Sequence, residues 1–267
     1  MGIVTLTTDF GLRDSYVGAM KGVLLTVAPE TRIVDLSHDV APQNLLEAAF
    51  VVRGAWRFFP TGTVHVVVVD PGVGSSRAIL AARGEGHLFL APDNGVLWPV
   101  FEQGEAPEVR RLDAARFALP RVSSTFHGRD VFAPAAAHLA RGFPFESIGP
   151  PHPTWARIAF PKPERGPDGS LRGSVVRVDR FGNLITNLGA DLLGSLGAPE
   201  TIAVTLGGVE IRGLVATYAS APPGRRAALV GSSDLLEIAV PGGSAADSLG
   251  LGFGAEVVAR GTGERGR

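Results

Sequence analysis

The chain has 267 residues, which suffices for one large domain or two smaller ones whose core needs neither a disulfide nor a structural metal. Hydrophobic residues make up 45% of the chain and charged residues 19%, a balance typical of globular proteins and not of disordered ones. The net charge of −1 argues against a general nucleic-acid binder, and the absence of cysteine excludes thiol catalysis and cysteine-based metal sites.

The chain shows neither a membrane signal nor a metal motif. No stretch approaches the roughly 18 consecutive apolar residues of a membrane span, and a strand pattern begins at once at Ile3. No spacing of His, Asp and Glu matches a metal motif such as H-E-x-x-H. We therefore expect a cytoplasmic protein with no metal, membrane or nucleic-acid partner.

The first part of the chain alternates strand and helix patterns. Strands are predicted at residues 3–7, 32–36, 64–69, 78–82 and 88–91, and helices at residues 15–27, 44–59 and 131–140. Asp14 is the predicted N-cap of the first helix, and Pro60 is expected to end the second. Residues 64–69 form an almost unbroken β-branched run, the pattern of a strand covered on both faces. The β-α-β order predicts a mostly parallel sheet between helices.

The pattern changes after residue 149. Six prolines lie between residues 150 and 169, where few periodic segments occur, and this segment is predicted to be a linker. Short strands follow at residues 173–178, 184–188, 201–206, 227–230 and 236–240, with brief helices at 191–196 and 245–249. We therefore predict an N-terminal α/β domain (1–149), a linker (150–169) and a smaller C-terminal β-barrel-like or sandwich domain (170–267).

Polar segments follow two of the predicted parallel strands, at the sheet edge where ligands collect in α/β proteins. The first is Thr7-Thr8-Asp9-Phe10-Gly11, in which Asp9 suits either a pair of ribose hydroxyls or a turn or helix cap. The second is Asp70-Pro71-Gly72-Val73-Gly74-Ser75-Ser76-Arg77, whose glycines let a ligand approach the backbone. It is a weak match to a dinucleotide loop, because Arg77 replaces the third glycine and a strand pattern follows.

Two further segments concentrate polar residues in loops. Ser124-Thr125-Phe126-His127-Gly128-Arg129-Asp130 precedes a helix pattern and places His127 well for function, although a single histidine is more often structural. Asp179-Arg180-Phe181-Gly182-Asn183 has by itself the pattern of a hairpin turn. Gly231-Ser232-Ser233-Asp234 offers small hydrogen-bond donors in a similar position.

Together these segments resemble the S-adenosylmethionine hydroxide adenosyltransferase family, the hydrolytic relatives of the fluorinase and chlorinase enzymes. The resemblance covers nearly the whole chain and depends on the order of its segments more than on any one of them. The segments are Thr8-Asp9-Phe10-Gly11, Tyr16-Val17-Gly18-Ala19-Met20-Lys21-Gly22, Val69-Asp70-Pro71-Gly72-Val73-Gly74, Pro92-Asp93-Asn94-Gly95, Phe126-His127-Gly128-Arg129-Asp130, Asp179-Arg180-Phe181-Gly182-Asn183 and Leu236-Glu237-Ile238-Ala239.

The resemblance implies a catalytic triad of Asp70, Arg77 and His127, and a homotrimer with its sites between the N-terminal domain of one subunit and the C-terminal domain of the next. It also implies where the parts of S-adenosylmethionine or adenosine bind. The substrate-binding residues so implied are Asp9 at the ribose hydroxyls, Asn183 and the backbone near Gly242 at adenine, Phe181 and Tyr218 as apolar or stacking walls, Asp179 and Ser232 at the methionine amino and carboxylate groups, and Phe126, which is given no particular part of the substrate.

The expected reaction is attack of water or hydroxide on ribose C5′ of S-adenosylmethionine, which is the substrate, so that no cofactor is expected. Either neutral His127 or ionised Asp70 can accept the proton, while Arg77 orients water or stabilises hydroxide. The halogenating relatives have a tyrosine at the position of His127 and lack the acid of Asp70. The fluorinase also has a serine at Gly128 and an arginine at Ser233. The alternatives are a halogenase, a non-catalytic adenosine or S-adenosylmethionine sensor, and a dinucleotide-dependent dehydrogenase.

Overall fold

The structure is a computed structural model that describes residues 2–102 and 104–263. The chain divides into two compact units, Met1–Phe160 and Pro161–Arg267. The division falls inside the segment 150–169. Met1 of the predicted first domain and residues 264–267 of the predicted second domain lie outside the described residues.

A six-stranded sheet forms the centre of the first unit. Its strands are β1 (Ile3–Thr8), β2 (Arg32–Ser37), β3 (Val64–Val68), β4 (Ile79–Gly84), β5 (His87–Pro92) and β6 (Glu108–Arg111). They lie in the order β2-β1-β3-β5-β4-β6, and of these six β4 runs against its neighbours. The predicted, mostly parallel α/β sheet is therefore confirmed. Strand β6 was missed, because Glu-Val-Arg-Arg carries little apolar pattern.

Helices cover both faces of this sheet. They are α1 (Tyr16–Val27), α2 (Leu45–Ala55), α3 (Trp98–Phe101), α4 (Ala114–Phe117) and α5 (Ala133–Ala140). Val66 and Val68 belong to the core cluster that includes residues of α1 and α5, whereas Val67 belongs to the cluster on the α2 side. All residues of β3 are buried, which confirms the prediction of a strand covered on both faces.

Three helix boundaries of the first unit differ from the prediction. Asp14 is not the N-cap of α1; Ser15 holds that position without a side-chain cap, so the prediction was wrong. Helix α2 begins after Asn44, whose side chain accepts from the Glu47 backbone N–H, and a short 3₁₀ turn replaces its predicted end. The helix predicted from residue 131 starts earlier, with a π-helical turn at Gly128–Phe132.

The second unit is a nearly closed antiparallel barrel. Its elements are β7 (Glu164–Arg165), β8 (Leu171–Val178), β9 (Leu184–Gly189), α6 (Ala190–Gly194), β10 (Ile202–Leu206), β11 (Val209–Arg212), β12 (Ala227–Val230), β13 (Leu235–Ala239), α7 (Ala245–Leu249) and β14 (Glu256–Gly261). The order β11-β10-β14-β8-β9-β13-β12 brings the edge strands together, where the Val215 N–H donates to the Ala228 carbonyl at 2.9 Å. The predicted barrel-like fold is confirmed.

Strands β7, β11 and β14 were missed in the prediction, because short segments with interspersed charges do not stand out from loops. Across the ranges that the structure describes, no helix is long and apolar enough to cross a membrane.

Candidate active site

The structure brings Asp70, Arg77 and His127 into contact. Asp70 follows β3, Arg77 precedes β4, and His127 precedes the π-helical turn. Arg77 donates to both carboxylate oxygens of Asp70, from Nε to Oδ1 at 2.7 Å and from Nη2 to Oδ2. The same Nη2 lies 3.2 Å from His127 Nδ1. The three residues therefore form one cluster, as expected, while their catalytic roles stay a prediction.

Close packing of two loops places this cluster. Gly74 has φ +79°, and a Cβ there would collide with the backbone oxygen of Ser124. The loop that carries Asp70 therefore lies directly against the loop that carries His127, at a distance that only glycine allows. Gly74 therefore serves a backbone contact between two loops of the protein.

Two further residues stabilise these loops. Asn94 donates from Nδ2 to the Val69 carbonyl at 2.9 Å and so holds the backbone next to Asp70. Asp130 is fully buried and accepts from Arg129 and, at 2.8 Å, from the Ser123 backbone N–H, which fixes the loop around His127. The sequence placed both residues in family segments without assigning them a role, because their partners are distant or are backbone groups.

The electrostatics determine the state of the His127 ring. Burial, followed by the charge of Arg77, lowers the pKa of His127 below its ordinary value of 6.5, although Asp70 and Asp130 oppose the shift. The ring is therefore neutral at pH 7. An arginine only donates, so Nδ1 must accept from Arg77, and the single ring hydrogen then lies on Nε2. In this state His127 can donate a hydrogen bond but has no free ring nitrogen to take up a proton.

Asp9 lies in the turn after β1 and caps no helix. Its Oδ2 accepts from the Gln43 backbone N–H at 2.8 Å. Oδ1 has no hydrogen-bond partner among the described residues and can accept from a ligand. Of the roles left open by the sequence, the structure excludes the helix cap, since Ser15 is the N-cap of α1, and places Asp9 in a turn, while the binding of ribose hydroxyls stays a prediction.

Phe126 belongs to an aromatic group at the same loops. Its ring makes edge contacts with Phe10 and Tyr16 at centroid distances of 5.9 and 5.1 Å. A Cβ at Gly128 would lie 3.1 Å from Met20 Sδ and 3.4 Å from Phe10, so a larger residue at 128 would press on this group. The aromatic rings form an apolar wall beside His127.

In the second unit the structure brings Asp179 and Asn183 together. Asp179 Oδ1 accepts from the backbone N–H groups of Phe181 and Asn183, each at 2.9 Å, and Oδ2 accepts from Asn183 Nδ2 at 2.9 Å. Gly182 has φ +79° and packs on Ser244, which fixes the turn. The Phe181 ring is 77% exposed and projects into solvent from this turn.

Tyr218 is held by an acid that the sequence did not single out. Its hydroxyl donates to Glu237 Oε2 at 2.6 Å, and Glu237 is buried. Burial, this hydrogen bond and the charge of Asp179 raise the pKa of Tyr218 to about 12, so the phenol stays protonated. The sequence signal that could have identified Glu237 is its position as an acidic residue in the middle of the apolar strand β13.

The structure does not join the remaining predicted residues to this group. Ser232 lies in the turn between β12 and β13, and Gly242 adopts φ +76° after β13. Within the described part of the second unit, no hydrogen bond connects either residue to Asp179 or Asn183.

Comparisons with known proteins identify the family of the chain. Residues 4–149 match the SAM hydroxide adenosyltransferase N-terminal domain, and residues 173–258 match the C-terminal domain of the same family. A (R)-S-adenosyl-L-methionine hydrolase of Thermus thermophilus is 42% identical over 265 residues, which cover 95% of this chain and 98% of that protein. A fluorinase of Actinopolyspora mzabensis is more distant, at 29% identity over 73% of this chain and 74% of its own length.

A crystal structure of an uncharacterized conserved protein from Thermotoga maritima superposes with a TM-score of 0.90 at 36% identity, covering 97% of this chain and 99% of that one. The two matching domains and the 42% identical relative lead to one conclusion: the chain belongs to the SAM hydroxide adenosyltransferase family.

Proposed function

We propose that this chain hydrolyses S-adenosyl-L-methionine to adenosine and L-methionine. The observation that carries the proposal is the cluster of Asp70, Arg77 and His127, whose acid and arginine side chains are nearly buried. The hydrolase names of the relatives support it. A polar cluster of this kind, beside an aromatic wall, suits a reaction that needs a held and partly desolvated water.

The reaction is a displacement at ribose C5′. The oxygen of water attacks C5′, the C5′–S bond breaks, and its electron pair goes to sulfur. Methionine then leaves as a neutral thioether, so no acid is needed to protonate the leaving group and we propose that no cofactor takes part. The water proton is lost to a base or to solvent. The protein therefore has to orient the nucleophile and receive one proton.

The hydrogen-bond directions divide these tasks among the three residues. His127 donates from Nε2 to the attacking oxygen, because its Nδ1 already accepts from Arg77. Asp70 accepts the water proton, since each of its oxygens keeps a lone pair beyond those that Arg77 occupies. Arg77 holds both partners in position and stabilises negative charge that develops on the oxygen.

The substrate contacts follow the sequence prediction. Asp9 accepts from the ribose hydroxyls through its free Oδ1, and Phe126 contributes the wall beside the reacting carbon. The remaining contacts are Asn183 and the backbone of Gly242 at adenine, Phe181 and Tyr218 as walls, and Asp179 and Ser232 at the methionine amino and carboxylate groups.

We further propose that the sites are completed in a cytoplasmic homotrimer, where the C-terminal domain of one subunit meets the N-terminal domain of the next. The ring of Phe181 is 77% exposed in the single chain and is therefore free to contact a neighbouring subunit. Light scattering after size-exclusion chromatography tests it, and a monomeric mass at working concentration would contradict the shared site.

Isotope labelling tests the reaction. The protein is incubated with S-adenosylmethionine in oxygen-18 water, and the products are separated and weighed by mass spectrometry. We expect adenosine with one oxygen-18 at the 5′ position. A parallel reaction with chloride or fluoride distinguishes a halogenase, which would form 5′-halo-5′-deoxyadenosine. A halogenated product, or binding without any turnover, would overturn the hydrolase assignment.

A further inference from the structure

A histidine that plays no part in the proposed reaction holds the turn that carries Asp9. This turn comprises residues 8–11 and is called the Asp9 turn below. His38 Nδ1 lies 2.8 Å from Thr8 Oγ1 at one end of the turn. The carbonyl of the same residue accepts from the Gly11 backbone N–H at 2.8 Å at the other end. His38 therefore contacts both ends of the Asp9 turn.

His38 is itself held by charged residues from two other elements. The residue is buried, at 4% exposed, and its Nε2 lies 3.0 Å from Asp35 Oδ1 in an electrostatic contact. Asp35 at the end of β2 pairs with Lys21 of α1 at 2.5 Å. Burial alone would raise the pKa of Asp35, but Lys21 and His38 lower it, so the carboxylate is ionised.

The directions of the hydrogen bonds in the series of contacts from Asp35 through His38 and Thr8 to Phe10 agree with one another. A carboxylate facing Nε2 favours the ring hydrogen on that nitrogen, which leaves Nδ1 as the acceptor of the Thr8 hydroxyl. The Thr8 oxygen in turn accepts from the Phe10 backbone N–H at 3.3 Å. Ionic and neutral groups thus connect α1 and β2 to the backbone beside Asp9.

The Asp9 carboxylate is also held directly, by a hydrogen bond from Gln43. The Gln43 N–H that binds its Oδ2 belongs to a residue with φ +65°, an unusual conformation for a non-glycine residue. Gln43 and His38 lie on the same loop between β2 and α2, which therefore holds both the carboxylate and its turn. A carboxylate that binds two hydroxyls must be fixed closely, because a small rotation loses one of the two hydrogen bonds.

We propose that His38 is a positioning residue that holds the Asp9 turn through Thr8 and thereby sets the recognition of the ribose hydroxyls. This inference rests on the proposed function, in which Asp9 binds the ribose. A histidine that only stabilised the core would weaken the binding of every ligand to the same extent. A positioning residue weakens only the ligands that carry the hydroxyls.

Two substitutions of His38 separate these roles, because each places a polar atom near only one of the two ring-nitrogen positions. His38→Asn retains a polar atom near the Nδ1 position and hence the contact with Thr8. His38→Gln retains one near the Nε2 position, which faces Asp35, and loses the contact with Thr8. Titration calorimetry on the full chain measures the Kd values of adenosine and of 2′,3′-dideoxyadenosine, with no turnover needed.

We expect His38→Gln to weaken adenosine binding about tenfold, the effect of one hydrogen bond to a charged group, and to leave dideoxyadenosine unchanged. His38→Asn should stay within about threefold of the wild type for both ligands. Thr8→Val, which removes the hydroxyl at nearly constant volume, should behave like His38→Gln and keeps the test valid if the histidine variant does not fold. His138→Asn is the control, since that ring packs on Phe117 and Phe143 away from the Asp9 turn.

Equal weakening of both nucleosides by His38→Gln and Thr8→Val would overturn the proposal, and so would unchanged adenosine binding in both variants. A wild type that releases labelled adenosine but does not distinguish the two nucleosides would overturn this inference alone. A wild type that binds adenosine with ribose discrimination yet never cleaves S-adenosylmethionine would instead overturn the proposed function.

Discussion

The two polar clusters of this chain are built in different ways. In the first unit, Arg77 and His127 lie 50 positions apart in sequence and meet only because the end of β3, the start of β4 and the loop before α5 come together in the fold. In the second unit, Asp179 organises a turn of residues within four positions of itself. The first cluster therefore depends on the packing of a whole domain, whereas the second is a local structure.

This difference suggests that the first cluster serves catalysis and the second serves substrate recognition. A nucleophile and its base must be held to within a fraction of an ångström, and buried residues on a rigid sheet can do this. The recognition of a flexible amino-acid chain tolerates a turn at the surface. We therefore expect changes in the first cluster to lower kcat and changes in the second to raise KM.

The largest effect is expected for Asp70→Asn. The amide keeps the shape of the side chain but cannot accept the water proton, and Arg77 loses its charged partner. General-base catalysis is worth about 10²–10⁴-fold, so we expect kcat to fall by roughly 10³-fold while the Kd for S-adenosylmethionine stays nearly constant. Single-turnover adenosine release measures the change in kcat, and calorimetry measures the Kd for S-adenosylmethionine. The exposed Glu105→Gln is the control for a lost charge, and near wild-type turnover in Asp70→Asn would remove Asp70 from the mechanism.

A smaller effect is expected at His127, where two substitutions distinguish a donor from a base. His127→Gln offers an N–H near the Nε2 position, and we expect it to keep kcat within about tenfold, whereas His127→Phe should lose about 10²-fold or more. If His127 were the base, both variants would lose activity to the same extent. The comparison of their kcat values decides between the two roles.

The pH profile gives an independent check on the same residue. The pKa of His127 is lowered, so its active neutral form is present at pH 6.5 and above and is lost as the pH falls further. In the wild type kcat/KM should decline as the pH falls from about 8, with the midpoint of the His127 transition below pH 6.5. In His127→Gln the part of this decline that is due to the imidazole should disappear. A midpoint above pH 6.5 for this transition would contradict the lowered pKa.

The smallest effect is expected for Asp179→Asn in the second unit. Oδ1 still accepts from the backbone, so the turn should keep its shape, but the charge that we propose faces the methionine ammonium group is gone. We expect KM to rise about ten- to a hundredfold with little change in kcat. Asp191→Asn, an exposed acid on α6, is the matched control. A loss confined to kcat would contradict the role in substrate recognition that we expect for the second cluster.

Much of the fold could be predicted from local patterns. The run at residues 64–69 identified the central strand because burial on both faces demands an unbroken apolar sequence. Strands β6 and β14 were not predicted, because each buries few of its residues and so has only a weak apolar pattern. The N-cap at Asp14 was wrong because several neighbouring polar residues suit a cap equally well, and the local backbone decides between them.

For the candidate site, too, some features could be predicted from local sequence patterns and others could not. The sequence alone indicated an α/β unit followed by a β unit, the loops that carry the polar residues, and, through the order of its segments, the family. Only the tertiary structure decided that Arg77 pairs with Asp70 and faces Nδ1 of His127, and that His38, Asn94, Asp130 and Glu237 support the candidate binding loops. The physical reason is that these contacts join residues distant in sequence, so their distances and hydrogen-bond directions exist only once the sheet and the barrel have formed.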